Sequence, residues 1–190
     1  MTVHTNAGTD VTLALNGSTH YATVKKSSLS AITKDTFIGT ATKNVGSRLV
    51  ALEVVVFPNA MRGTGEGHYA WDQLPDTTLS GGGKVASTMT NGTVASDTSV
   101  GSPGKVGTTM TNGTVSTESG SGGARQLNVT YKGGHKHILV PPTAPVVMLA
   151  PGSKSDVSTG DAVFVAEAKG AASPTAGVVA VGTDGVKPPM

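Results

Sequence analysis

Arg48-Leu49-Val50-Ala51-Leu52-Glu53-Val54-Val55-Val56-Phe57 decides the fold, because it returns, worn, as Ser173-Pro174-Thr175-Ala176-Gly177-Val178-Val179-Ala180-Val181-Gly182. Ala51 falls on Ala176, Val54 on Val179 and Val56 on Val181, an offset of 125 residues. Working outward, the same offset carries Val24 onto Leu149, Ile32 onto Val157, Ile38 onto Val163 and Thr40 onto Val165. In both stretches apolar residues alternate with period 2 and stop at glycine-containing turns, the mark of half-buried strands. A recurrence of this length is a whole small β-domain, so two related barrels are expected, at 1–58 and 111–190.

The first copy reads as hairpins. Met1–Thr5 turns at Asn6-Ala7-Gly8 into Val11–Leu15, and Asn16-Gly17 is a tight-turn signal. The second copy runs Leu127–Tyr131, a turn at Lys132-Gly133-Gly134, then His137–Val140 and Val146–Leu149. Short strands with one helical turn predict small closed barrels, OB-like in general plan, whose closure removes exposed strand edges.

Between the copies lie a connecting loop, 59–83, and a Gly/Ser/Thr-rich segment, 84–110. Composition alone would make the latter a flexible linker. However, Lys84-Val85-Ala86-Ser87-Thr88-Met89-Thr90-Asn91-Gly92-Thr93-Val94 recurs as Lys105-Val106-Gly107-Thr108-Thr109-Met110-Thr111-Asn112-Gly113-Thr114-Val115, which predicts strands. Thr90, Asn91, Gly92, Thr93 and Val94 are the candidate assembly strand, expected to complete a first-copy barrel of its own chain or a neighbour's. Thr111–Ser116 is expected to open the second barrel. The expected class is therefore all-β: two related OB-like barrels joined by a segment carrying duplicated strands.

Composition narrows the function classes. Cysteine is absent, which excludes disulfides and thiolate metal sites. Charged residues are 14% and the net charge +2, too little for a nucleic-acid groove. The aromatics are few and scattered, so no stacking platform for single strands is expected. No stretch reaches the ~18 apolar residues of a membrane span. A sparsely charged, Thr-rich, Cys-free surface suits an exported bacterial protein whose leader has been removed.

Two groups of residues could carry chemistry. His135 and His137, two apart on a strand, place both imidazoles on one face and could chelate Zn or Cu. A structural zinc wants four ligands and no third is evident, so a solvated strand face is the competing reading. Around three glycines, the loop Met61–Asp72 gathers Arg62, Glu66, His68, Trp71 and Asp72, a candidate binding site. Its competing reading has Trp71 plugging the seam between barrels and Arg62 paired with Glu66 or Asp72. The Gly-x-Gly-x-Gly of the loop lacks the Lys-Ser/Thr of a phosphate loop, and no Gly-x-Ser-x-Gly elbow supports a nucleophile. Neither an enzyme nor a bound cofactor is expected.

At Pro58–His68, Trp71-Asp72, Ser87–Asn91, Tyr131–Gly134, Val140-Pro141-Pro142 and Asp184–Met190, the chain resembles exported bacterial proteins built from β-barrel domains of unknown function. Proteins of that kind are often labelled metal ABC transporter permease, a label at odds with a chain lacking membrane spans. The resemblance implies export and paired barrels but supplies no activity. Two departures stand out: the leader and first strand expected ahead of Met1 are missing, and the Thr-Met-Thr-Asn-Gly-Thr-Val strand occurs twice. The leading expectation is a non-enzymatic structural protein that forms homo-oligomers by strand addition, as an extracellular filament. The alternative is a periplasmic module that binds a metal or small ligand.

Overall fold

The computed structural model describes residues 1–5, 8–78, 83–99, 123–168, 170 and 173–188, with the side chains of Asp72, Thr98 and Ser99 outside that set. In chain order the strands are β1 (Thr2–His4), β2 (Asp10–Thr12), β3 (His20–Lys26), β4 (Phe37–Val45), β5 (Arg48–Val56) and β6 (Gly67–Pro75). There follow β7 (Lys84–Ser99), β8 (Arg125–Tyr131), β9 (Gly134–Val140), β10 (Val146–Pro151), β11 (Val163–Glu167) and β12 (Ala176–Gly182). The helical elements among the described residues are three-residue 3₁₀ turns, at Leu29–Ala31, Asn59–Met61 and Lys154–Asp156. The protein is all-β.

Its compact units do not follow the two sequence copies. One unit joins Met1–Lys26 to Leu149–Pro189, and the other is Ser27–Met148. The expected division at 1–58, 59–83, 84–110 and 111–190 is corrected accordingly. The cause is hydrogen bonding: strands far apart in the sequence pair with one another. Val178–Gly182 of β12 runs parallel to His20–Val24 of β3, and Val146–Met148 of β10 runs parallel to Val54–Val56 of β5.

In the terminal unit, β1 and β2 form an antiparallel hairpin in which Val3 faces Val11. β11 and β12 form a second hairpin, Val163 opposite Val181, with a bulge between Ala166 and Glu167. A parallel bridge from Ala14 to Thr175 ties the chain after β2 to the start of β12. Leu13, Ala176 and Val179 form the core, with Val3, Tyr21, Val163 and Val165 packed against it. Asn16-Gly17 does turn the chain, through Thr19 N–H to the Asn16 carbonyl at 3.1 Å, but leads into β3 rather than closing a hairpin.

In the central unit five strands close a ring. β4 pairs with β5 and β7, β7 with β8, β8 with β9, and β9 returns to β5 through Leu49–Ile138 and Val50–Leu139. β7 is long enough to serve two neighbours: Thr88–Thr93 lies on β4 and Thr93–Ser99 on β8. Inside the ring Ile38, Ala51, Val54, Val94, Leu127, Val129 and Ile138 are fully buried. β6 lies outside the ring on β7, where Leu74 joins Ala41, Leu52 and Met89 in a second cluster that Trp71 covers. Trp71 thus packs on the flank of this unit.

Ring closure depends on Gly92. A Cβ there would lie 2.3 Å from the Thr130 carbonyl oxygen of β8, so only glycine lets the two backbones approach this closely.

The expected core positions Val24, Leu149, Ile38, Val54 and Val179 are buried, whereas Val163 is only half-buried. Thr90–Val94 is strand, within β7, and pairs inside its own chain with β4 and β8. Among the described residues, the C-terminal half of β7 pairs with β8. Thr111–Ser116, expected to open the second barrel, lies outside the described residues, like the rest of Lys105–Val115.

Candidate functional site

The central unit carries a cleft of about 340 Å³ lined by Asn44, Ser47, Leu49, His68, Thr88, His135, Lys136 and His137. Alternation along β9 turns His135 and His137 to one side, and their rings meet edge to face at 5.4 Å. Ser47 comes from the β4–β5 turn, which Gly46 makes with φ of 60°. On β6, His68 stands opposite Thr90 of β7, and its Nδ1 lies 2.8 Å from the Thr90 hydroxyl. The His68 ring also stacks on Tyr131 at 6.3 Å.

Three imidazoles and one ammonium line the cleft, without a carboxylate among them. Burial, and then the positive charge of Lys136, hold the His68 pKa below its ordinary value. Near neutral pH His68 is therefore an uncharged donor–acceptor. Such a lining can bind an anion through Lys136, or a borderline metal through the paired imidazoles of β9. Among the described residues no three His, Asp or Glu side chains converge as a metal site would need. His68 shares the cleft without adding a third ligand. It is engaged with Thr90, and no carboxylate of the lining stands behind it as a triad would require.

The candidate loop residues do not form one site. Arg62 donates to the Thr93 hydroxyl at 2.8 Å, to the Asp35 carbonyl at 2.6 Å and to Asn59 Oδ1 at 3.3 Å, and lies over the Phe37 ring. The expected pairing of Arg62 with Glu66 is corrected, and that with Asp72 falls on a side chain outside the described residues; the Arg62 contacts hold β7 against the turn before β4. Glu66 instead accepts the Lys132 backbone N–H at 3.0 Å. Trp71 meets Tyr69 edge to face and covers the flank cluster, a packing role. Asp72 stands on β6, and its side chain lies outside the described residues. Among the described side chains of these candidates, only His68 reaches the cleft.

Sequence reading missed three polar features. Lys43 and Asp76 form a largely buried ion pair at 2.6 Å, with Asp76 also accepting from Thr78. Arg125 pairs with Asp97 and donates to the Ile32 carbonyl at 3.0 Å. Glu53 is buried in β5, and its Oε1 has no partner among the described residues. The Asp-Thr-Thr turn at 76–78 was a local signal for the first; the other two depend on contacts distant in sequence.

No family model, curated protein or solved structure matches the chain. Among the described residues no helix is long and apolar enough to cross a membrane.

Proposed function

We propose that this chain is a non-enzymatic, exported structural protein that assembles with its own kind by strand addition to the terminal unit. One observation carries the reading: the central ring is closed by β7, while β11 at the corresponding place has, among the described residues, β12 as its only strand partner. The correspondence supports treating the units as exchanged halves of a duplicated domain. Ile38 opposite Val56 matches Val163 opposite Val181, and Val50 opposite Leu139 matches Thr175 opposite Ala14, each shifted by 125. An unpaired sheet edge is a template for another chain, and head-to-tail donation need not close. Light scattering across a concentration series, with electron microscopy of the large species, tests this; a monomer at every concentration refutes it.

The three-histidine cleft favours a second reading, a module binding a metal or a small anion. Titration calorimetry with Zn, Cu and inorganic phosphate separates the two. Tight one-to-one binding by a monomer supports the module.

A further inference from the structure

We infer that the strand added to the terminal unit is the Lys105–Val115 run of a neighbouring copy, seated on the β11 edge as β7 is seated on β4. The inference rests on the assembly reading above and names its donor.

The donor follows from the repeat. Lys84–Val94 and Lys105–Val115 agree at nine of eleven positions, and the differences are Ala86 to Gly107 and Ser87 to Thr108. Lys84–Val94 is the β7 segment that lines β4 and begins the contact with β8. A sequence this similar carries the same alternation and the same backbone requirements. In particular it keeps glycine at 113, the counterpart of Gly92, whose missing Cβ admits the Thr130 carbonyl. Its own unit has no place for it on β4 or β8, since β7 pairs with both.

The acceptor follows from burial. Ile38, Thr40 and Ala41 on β4 are fully buried, whereas the corresponding Val163, Val165 and Ala166 on β11 are each half-buried. Apolar side chains at successive positions of an edge strand are a surface awaiting cover. Carrying the β4–β7 register across sets Gly113 opposite Val163 and Thr111 opposite Val165. Carrying the β7–β8 register across sets Val115 opposite Val3 of β1, which would close this unit as β7 closes the other.

One difference shapes the fit. Phe164 stands where β4 has Gly39, and in the central unit Asn91 Oδ1 lies 2.5 Å from where a Gly39 Cβ would be. Asn112 must therefore turn away from Phe164. The proposed seat permits this, because what holds Asn91 in place, Thr64 and Tyr69, belongs to the central loop and β6.

A neighbour's strand is required by the assembly reading, since a run folded back on its own chain would fill the edge and stop growth. The cysteine-free chain makes the test clean. Full-length Val165→Cys and full-length Thr111→Cys are mixed and oxidised; a covalent heterodimer in high yield is expected. The variant carrying both substitutions should give a ladder of covalent multimers. Replacing 105–115 by a Gly/Ser spacer of equal length, or making Gly113→Val, should reduce the assembly to monomer with the central unit's melting unchanged. A synthetic Lys105–Ser116 peptide should then bind the spacer variant.

Three results would overturn the inference. If the spacer variant assembles as wild type does, strand addition stands but uses another donor. If the double variant closes its disulfide within a monomer, the run seats on its own chain. If mixed single variants give no heterodimer while wild type assembles, the register is wrong.

Discussion

β4 and β11 hold matching places in their units and are joined in matching register to β5 and β12, yet they are buried to different depths. Ile38 is 0% exposed, and its counterpart Val163 is half-buried. The strand sequences do not account for the difference, since Val163-Phe164-Val165 is more apolar than the matching Ile38-Gly39-Thr40. The account lies in β7, which covers β4 along six residues. In a small barrel, burial belongs to the closed ring rather than to the strand. The largest effect should come from opening that ring. Gly92→Val drives a side chain into the Thr130 carbonyl and should cost at least about 3 kcal/mol, read by thermal or urea unfolding. Gly17→Val in the terminal unit meets nothing within 4 Å and should change stability by under about 0.5 kcal/mol.

The second test compares β5 with β12, where Val178 holds the position that Glu53 holds in β5. Burial raises the Glu53 pKa from 4.5 to about 7, because the charged form loses its hydration. The folded state then holds a proton that the unfolded chain releases above its lower pKa. Stability from this group is greatest below pH 4.5, declines as pH rises to about 7, and is constant beyond. The full penalty is about 3 kcal/mol. Glu53→Gln should therefore gain stability over wild type at pH 8 and lose that advantage at pH 4. An equal difference at both pH values would mean the carboxyl finds a partner in solution.

The third is smaller. Val54→Ala empties a site in the closed core and should cost about 2–3 kcal/mol, while Val163→Ala on the half-covered edge should cost about 1 kcal/mol. Equal costs in unassembled protein would show that β11 is covered after all.

Much of this was legible in the chain. Period-2 alternation located β3, β5, β8, β10 and β12 and set the all-β class, because a strand half buried writes its burial into every second residue. Which strands would share a barrel was not legible. Val54 has as good a partner in its own copy as in the other, and parallel pairing of β5 with β10 leaves no local turn to read. The site divides in the same way. His135 and His137 share a face by alternation alone, whereas His68 joins them only because β6 lies against β7. The partner of Glu66 was misjudged because loop charges have many groups within reach, and here a backbone N–H prevailed over Arg62.

The smallest effect concerns the face on which the units differ most in chemistry. Where β9 carries His135 and His137, the corresponding positions of β2 carry Asp10 and Thr12, so the cleft is a feature of the central unit. Within it, burial acts first and Lys136 second to hold the His68 pKa down. Lys136→Gln removes the second cause and leaves the first. The His68 titration, followed by NMR through its ring protons, should move upward in this variant while remaining below the ordinary histidine value. A lowered pKa means that protonation opposes folding, so acidification through the histidine range should destabilise wild type slightly more than Lys136→Gln. A titration that does not move would locate Lys136 in solvent, away from His68. The cleft would then lose the cation that favours an anionic ligand, and the paired imidazoles of β9 would remain as its chemistry.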